Sequence, residues 1–319
     1  MLEGYDLPKN PDTNVVYKLL PKDPENAYYK ERTDRNIGWI TCKEQEILRN
    51  KTIGIAGCGG MGGLLAQIFL RLGIGEIRIA DCEVFDISNI NRQFGATKST
   101  VGKSKAFETA RMLRTITDDT TLVVYPQGIN KDNVDSFLDG CDVVCDEIEF
   151  WAIGARLLLH ERSRAHGISI ICADTVGFTT HVFFFTPESL TVEELLGFTL
   201  KEAIEIENKL RQGQRDKDVI ERIMKSVLEG FAPALPEYCP WAKEGNREAL
   251  WRRLRKEGKA SIIATNPPLA TGFLANRALL YLLEDSETKR DITDIPSMPG
   301  YVSFDAATLE VKVVRERWW

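Results

Sequence analysis

Short apolar runs alternate with segments of helical periodicity through the first two thirds of the chain. The runs are rich in β-branched residues, which is typical of buried strands, and the periodic segments between them are typical of crossover helices. The predicted strands are residues 52–56, 76–80, 122–125, 142–145, 168–172 and 178–185. The predicted helices are residues 41–49, 64–70, 103–114, 132–138 and 151–166. This alternation predicts an α/β fold built on a Rossmann-like, mostly parallel, twisted sheet.

The remaining segments extend this core. Residues 1–40 form a predicted N-terminal arm, and its Pro-, Asp- and Asn-rich first part, residues 1–26, is expected to have little structure of its own. Residues 41–190 form the predicted nucleotide-binding core. Residues 191–260 are predicted to be a helical crossover insertion, with helices at 192–210, 218–228 and 247–257. Residues 261–319 are expected to complete the core domain with a helix, 266–283, and an antiparallel C-terminal hairpin.

A glycine-rich turn lies between the first predicted core strand and its helix. It reads GCGGMG, and Gly57, Gly59, Gly60 and Gly62 let the backbone approach a bound phosphate closely. Asp81 ends the next strand, about 20 residues further on, where a Rossmann-type fold holds a ribose hydroxyl. These features predict a nucleotide site, for which NAD or FAD would be the default ligand.

Polar residues just after Asp81 change that expectation. Arg92 and Lys105 follow within one unit of the fold, and the amides of Asn89 and Gln93 accompany them. A dinucleotide needs little beyond its ribose acid, whereas a triphosphate must have its charge neutralised before attack. We therefore expect ATP, with Arg92 and Lys105 on the phosphates and Asn89 and Gln93 orienting them.

With these motifs in this order, GCGGMG, Asp81, DISNINRQ and VGKSK, the chain resembles the ubiquitin-activating-type (ThiF-like) ATP-dependent adenylyltransferases. The resemblance covers residues 31–187 well and is weaker near the C-terminus. It implies adenylation of a carboxylate with release of pyrophosphate. The implied acceptor is the C-terminus of a small ubiquitin-like or sulfur-carrier protein, or of a precursor peptide.

The resemblance also implies a Mg²⁺ site after the fourth predicted strand. The family carries an Asp where Glu149 stands here, and a longer carboxylate can still offer a hard oxygen to Mg²⁺. Asp146 is the second candidate ligand, and Glu147 could share the task. The alternative interpretation is a group of surface acids that favour a helix N-terminus.

Two further residues gain a role only from the resemblance. Dimeric family members send an Arg from the segment before the glycine-rich turn into the partner subunit's ATP site, and Arg35 matches it best, with Arg32 second. This implies a homodimer, although Arg35 could be an ordinary surface residue. Cys239 lies in a Pro-rich loop where some relatives form a covalent intermediate, and it could equally be an ordinary loop thiol.

The composition and the net charge limit the partners and the location that can be expected for this protein. The net charge of −6 argues against general nucleic-acid binding, and no apolar run is long enough to span a membrane. The N-terminus lacks the pattern of a signal peptide, and the seven cysteines are scattered, so we expect a cytoplasmic protein with reduced thiols. No C-x-x-C pair is present, which predicts no zinc.

Other functions stay open at this point. One is an adenylating dehydratase acting on a modified tRNA base, against which the acidic net charge counts. A second is a nucleotide-dependent oxidoreductase, which would not need Arg92 and Lys105. A third is a nucleotide-binding module that has lost catalysis. The basic segment 247–257 is either a solvated face or a contact for an acidic partner tail.

Overall fold

A computed structural model describes residues 1–22, 26–233 and 260–316. The strands are β1 (Leu2–Gly4), β2 (Tyr17–Leu19), β3 (Thr52–Ala56), β4 (Glu76–Ala80), β5 (Thr121–Tyr125), β6 (Val143–Asp146), β7 (Ile170–Val176), β8 (Thr179–Phe185), β9 (Tyr301–Asp305) and β10 (Glu310–Val314). The helices are α1 (Asn26–Thr33), α2 (Cys42–Arg49), α3 (Gly62–Leu72), α4 (Lys105–Ile116), α5 (Val134–Leu138), α6 (Ile153–Ala165), α7 (Val192–Leu196), α8 (Leu200–Arg211), α9 (Lys217–Phe231) and α10 (Asn266–Leu282).

Within the described residues, the strands form one ten-stranded sheet in the order β1-β2-β5-β4-β3-β6-β7-β8-β9-β10. The five central strands, β5-β4-β3-β6-β7, are parallel to one another. Strands β8, β9 and β10 continue the sheet in antiparallel fashion. The predicted fold class, a mostly parallel sheet with an antiparallel C-terminal extension, is confirmed.

The chain order across the sheet reverses beside β3. From β3 the chain moves outward through β4 to β5, and it then returns to the other side of β3 for β6 and β7. The loops after β3 and β6 consequently lead to opposite faces. In open α/β sheets this divergence opens a crevice at the carboxyl ends of the strands, where ligands bind.

Two apolar layers hold the helices on the sheet. One face buries side chains of α3, α4 and α10, including Phe69, Phe107 and Leu274. The other face buries side chains of α5, α6 and the insertion helices, including Phe137 and Leu157. Both faces are therefore covered, which explains why the central strands read as nearly continuous apolar runs.

Two details of the predicted secondary structure are wrong. Residues 1–26 contain two three-residue strands, and β2 pairs with β5 at the sheet edge. Residues 192–210 form two helices because Gly197 ends α7 with a positive φ of 68° and Thr199 caps α8 through a reciprocal contact with Glu202. Strands of three residues, such as β1 and β2, are too short to show an alternation of apolar and polar residues. The break between α7 and α8, in contrast, could have been predicted from Gly197.

Helix α2 fastens the C-terminal segment to the core. Its Thr41 cap is confirmed and pairs with Glu44, whose carboxylate is almost fully buried. Glu44 also accepts hydrogen bonds from Arg290 Nη2 (2.8 Å) and Ser286 Oγ (2.8 Å). The hydrogen bonds from Arg290, together with those from Thr41 and Ser286, lower the pKa of Glu44 from 4.5 to about 2 against the effect of burial.

We expect Glu44→Gln to lower the free energy of unfolding at pH 7 by on the order of 2 kcal/mol. Because the folded pKa lies below the unfolded one, this stabilisation is complete above pH 4.5 and is lost as the pH falls towards 2. Denaturant unfolding of both proteins between pH 7 and pH 3 measures the difference. Exposed Glu46 on the same helix supplies the control, Glu46→Gln. A difference that does not shrink at low pH would contradict this account.

Candidate active site

The glycine-rich turn closes against the loop that follows β6. Gly57 has a φ of +105°, and a Cβ there would lie 2.2 Å from the Glu147 carbonyl oxygen. A Cβ on Gly62 would lie 1.9 Å from the Gly57 carbonyl oxygen. A side chain is thus excluded at both positions, whereas a Cβ on Gly59 would meet only the Gln93 amide, at 3.6 Å. The turn leads directly into α3, as a phosphate cradle requires.

Asp81 lies at the end of β4, against this turn. Its Oδ2 accepts a hydrogen bond from the Cys58 amide (2.7 Å) and its Oδ1 from the Glu83 amide (2.8 Å). Burial raises the pKa of Asp81, and the Lys105 ammonium opposes that rise. The predicted ribose acid is therefore held rigidly beside the cradle, with its charge balanced by Lys105.

Lys105 begins α4 and is buried, 5% exposed. Its ammonium donates to Glu83 Oε2 at 2.6 Å. Burial alone would lower the pKa of Lys105, but Asp81, Glu83 and Glu149 outweigh burial and raise it. The lysine is a fixed cation, and Glu83 is a site residue that the sequence reasoning missed, although it stands only two positions after Asp81.

The predicted Arg92 group lies around a short 3-10 turn, Ile87–Asn89. Arg92 donates to Asn91 Oδ1 (2.9 Å) and the Ser88 carbonyl (3.2 Å) and is partly exposed. Asn89 uses its side-chain oxygen to cap the turn, accepting from the Asp86 amide. Gln93 is buried near Gly59, and its Oε1 has no hydrogen-bond partner among the described residues. Gln93 is thus better placed than Asn89 to meet a ligand.

Glu149 faces the same cleft as the two cations. Partial removal from water and the Glu83 carboxylate raise its pKa to about 7, while Lys105 and the arginines 156 and 92 oppose the rise. The residue as a whole nevertheless remains exposed to solvent. The charges of Lys105 and Glu83 act on this carboxylate, so a ligand or an ion bound near Lys105 would also come under its influence.

Asp146 is occupied by the protein itself. Its Oδ2 lies 2.9 Å from both Arg156 Nε and His160 Nε2, and its Oδ1 accepts from the Ile148 amide at 3.0 Å. Although burial raises its pKa, Arg156 and His160 lower it below the usual value. This geometry does not favour Asp146 as a magnesium ligand, and it makes the residue an anchor for Arg156 instead.

The two predicted arginines before the glycine-rich turn lie on or beside the segment that joins α1 to α2. Arg35 is exposed on the turn Asp34–Asn36, beside Ile37 and Trp39, and no hydrogen bond or ion pair of the described residues joins it to the site. Arg32 is engaged within its own subunit, with Asp119 Oδ2 at 2.6 Å. Cys239 and the basic segment 247–257 lie outside the described residues.

No cluster of three or more His, Cys, Asp or Glu side chains suited to a metal occurs in the part of the chain that the structure describes. Within the same residues, no helix is both long enough and apolar enough to cross a membrane.

Comparisons with known proteins identify the family of this chain. The model of the ThiF family matches residues 33–317. The chain belongs to the ThiF family. The resemblance drawn from the motifs is thereby confirmed, and so, at the level of the family, is the expectation of an adenylating enzyme of the ubiquitin-activating type.

Named relatives of this ThiF-family chain differ in length and substrate. The tRNA threonylcarbamoyladenosine dehydratase of Bacillus subtilis is 24% identical over 246 residues, 77% of this chain and 92% of that protein. The adenylyltransferase and sulfurtransferase MOCS3 of Danio rerio is 31% identical over 104 residues, 33% of this chain but 23% of that protein. An uncharacterised Mycobacterium tuberculosis protein is 28% identical, with 19% of its length covered.

Solved structures share the fold of this ThiF-family chain. Escherichia coli MccB with ATP has a TM-score of 0.58 and 16% identity, over 93% of this chain and 75% of that one. The E. coli tRNA N6-threonylcarbamoyladenosine dehydratase has a TM-score of 0.53 and 17% identity, over 82% of this chain and 98% of that one. At these identities the likeness concerns the fold alone.

The two glycines of the turn should respond differently to alanine. Gly57→Ala forces a Cβ into the Glu147 carbonyl and a side chain into a positive φ, so we expect a loss of at least about 2 kcal/mol in the free energy of unfolding. Gly59→Ala has room and should unfold like the wild type, yet weaken ATP binding by obstructing phosphate approach. Thermal unfolding with and without Mg·ATP measures both. Equal stability loss in the two variants would contradict the geometry.

Proposed function

We propose that this chain catalyses the ATP-dependent adenylation of a carboxylate, the C-terminus of a small carrier protein or peptide. The observation that carries the proposal is the buried Lys105, fixed by Glu83 and Asp81 beside the glycine-rich turn. An NAD site has no use for a buried cation there, whereas a triphosphate needs one where charge develops.

In the proposed reaction, an acceptor carboxylate oxygen attacks the α-phosphorus of ATP. A new P–O bond forms to the acceptor, the bond from the α-phosphorus to the bridging oxygen breaks, and pyrophosphate leaves with that electron pair. The chain's task is positioning and charge neutralisation. Gly57, Gly59, Gly60 and Gly62 would cradle the phosphates, and Asp81 would hold the ribose. Lys105 and Arg92 would neutralise the phosphates, with Gln93 orienting them.

Magnesium fits this arrangement through Glu149. Mg²⁺ is usually held by one or two carboxylates together with substrate phosphates rather than by a complete protein cage. Glu149 faces Lys105 and Glu83 and is not consumed by a protein partner in the way Asp146 is. Bound there, the ion would supply positive charge to the triphosphate.

Two acceptor classes have support. MOCS3 is named an adenylyltransferase, and MccB has been solved with the peptide MccA, which favours a carrier protein or peptide. The coverage of the B. subtilis tRNA dehydratase, 92% of its length, favours a modified tRNA base as the second candidate. The net charge of −6 weighs against the tRNA.

Labelled pyrophosphate should exchange into ATP when the correct acceptor is present. We expect Lys105→Ala to lower the exchange rate by about 10²–10³, because it removes a preorganised charge contact. Lys103→Ala, two residues away and exposed, is the matched control and should exchange normally. Small carrier proteins, peptides and tRNA are assayed in parallel as acceptors.

An unchanged rate in Lys105→Ala would remove that residue from the site. The nucleotide is tested separately, since a ligand that binds only the folded state raises the unfolding temperature. Mg·ATP should stabilise the wild type and NAD should not. Stabilisation by NAD alone would overturn the proposal.

A homodimer with a shared site would give Arg35 its role. Arg35 is exposed near Trp39, which is 89% exposed, and no hydrogen bond or ion pair joins it to the site within the part of the chain that the structure describes. If Arg35 serves the partner's ATP, then Arg35→Ala and Lys105→Ala damage different halves of one composite site. Mixed dimers would contain one intact site, so reassembling equal amounts of the two inactive variants should restore roughly a quarter of the exchange activity.

Arg32→Ala serves as the comparison, because Arg32 pairs with Asp119 of its own chain and this variant should keep its exchange activity without help from a second variant. Light scattering first establishes whether the protein is a dimer. A monomer, or no recovery when mixed dimers are present, would refute the shared site.

A further inference from the structure

The strand order indicates where the nucleoside half of a bound nucleotide must lie. The phosphate cradle follows β3 and the ribose acid Asp81 follows β4, so the ligand runs across the carboxyl ends of neighbouring strands. The next strand in that direction is β5. Because the phosphates and the base leave the ribose on opposite sides, the base extends towards the ends of β4 and β5, away from Gly57 and Lys105.

Cys82 and Gly128 form the floor of that region. Cys82 follows Asp81 directly, and Gly128 lies in the turn after β5, where its amide donates to the Tyr125 carbonyl. A Cβ on Gly128, which has a φ of +66°, would lie 3.3 Å from the Cys82 Cβ. The two loops thus pack together, while Cys82 itself remains exposed to solvent.

Helix α8 of the insertion places the guanidinium of Arg211 beside Cys82. Both Nη1 and Nη2 of Arg211 lie 3.8 Å from Cys82 Sγ. Glu207, one turn earlier, binds the guanidinium through Nε (2.9 Å) and Nη2 (2.6 Å). Among the described residues, Nη1 has no oxygen partner, only the weak sulfur contact, and the side chain is 55% exposed.

Glu207 and the start of α6 hold Arg211 in this position. The other oxygen of Glu207, Oε2, accepts the Ala155 amide at the start of α6 (2.9 Å), and Glu207 is 8% exposed. Gly154 permits this approach, since a Cβ there would lie 2.9 Å from the Ile204 Cα. The guanidinium is therefore fixed to the core of the fold through the buried Glu207. An arginine that merely faced solvent would not require a buried carboxylate to position it.

We propose that Arg211 contacts the nucleoside half of the bound nucleotide, on its base side, and so makes the helical insertion part of the ATP site. This inference rests on the proposed function. A guanidinium suits the role because its flat face can stack on a purine while its free N–H groups donate to ring nitrogens or a ribose oxygen. The residue would set affinity for the nucleoside and leave the phosphates to Lys105 and Arg92.

Binding of ATP and AMP, measured by calorimetry, separates the two halves of the ligand. We expect Arg211→Ala to weaken both ligands by the same factor, about tenfold, which is typical of one lost hydrogen bond to a charged group. Lys105→Ala should weaken ATP more than AMP. Arg222→Ala is the control, since Arg222 lies on the same insertion but binds the Gly197 carbonyl and the Phe198 ring. It should bind both ligands normally.

Alkylation of Cys82 by iodoacetamide provides a second readout in the wild type. Saturating Mg·ATP or AMP should slow modification of Cys82, as measured by mass spectrometry of its peptide, because the nucleoside would cover the sulfur. Cys42, exposed on α2, is the internal reference and should react at an unchanged rate.

The outcomes are distinct from a failure of the proposed function. If the wild type binds ATP but Arg211→Ala binds ATP and AMP normally, or loses affinity for ATP alone, the assignment of Arg211 to the nucleoside is refuted. Unprotected Cys82 under saturating ATP refutes it as well. If Arg211→Ala lowers the unfolding temperature, the binding of ATP and AMP is measured instead with Arg211→Gln, which keeps most of the side chain's length, and the same outcomes refute the assignment. A wild type that binds no ATP contradicts the proposed function itself.

Discussion

The site depends on the direct contact of two backbone segments. Gly57, at the end of β3, lies so close to the Glu147 carbonyl that no side chain fits between them. The Gly57 amide donates to the Ala80 carbonyl and the Glu147 amide donates to the Ala56 carbonyl, so the ends of β3, β4 and β6 are joined there. A Cβ at this point would push apart the loops after β3 and β6, whose divergence opens the crevice. The positions of the glycine-rich turn, Asp81 and the acids after β6 relative to one another would then change.

Charge balance is the second constraint on this crevice. Glu83 binds the ammonium of Lys105 at 2.6 Å, and Asp81, Glu83 and Glu149 each raise the pKa of the lysine. Among the described residues, Arg92 and Arg156 also act on Glu149, and Arg156 is already paired with Asp146. The acids keep Lys105 charged although it is buried, so the cation is preorganised, and a bound triphosphate need not reorganise the protein to meet it.

The central part of this design could be predicted from the sequence because it is local. The glycine-rich turn, Asp81 and Lys105 follow strands with clear apolar patterns, and their spacing is set by one βαβ unit. The break at Gly197 was also readable, since Thr191 with Glu194 and Thr199 with Glu202 are two capping pairs in succession. Two contacts could not be predicted because they form only in the folded chain. Asp146 pairs with Arg156 and His160, and Arg211 contacts Cys82, which is 129 positions away in the sequence.

The sum of charges also bears on what the site can accept. In the proposed reaction, an ATP molecule without a metal would bring its phosphates towards Glu83 and Glu149, and Lys105 and Arg92 could not offset both the carboxylates and the triphosphate. Removal from water and the Glu83 carboxylate raise the pKa of Glu149 to about 7, so both disfavour its negative charge. A divalent cation arriving with the phosphates would remove that cost, because one ion would serve the carboxylate and the triphosphate together. On this argument, a glutamate at position 149, where the resemblance implies an aspartate, would still offer a carboxylate oxygen to an ion in the proposed reaction.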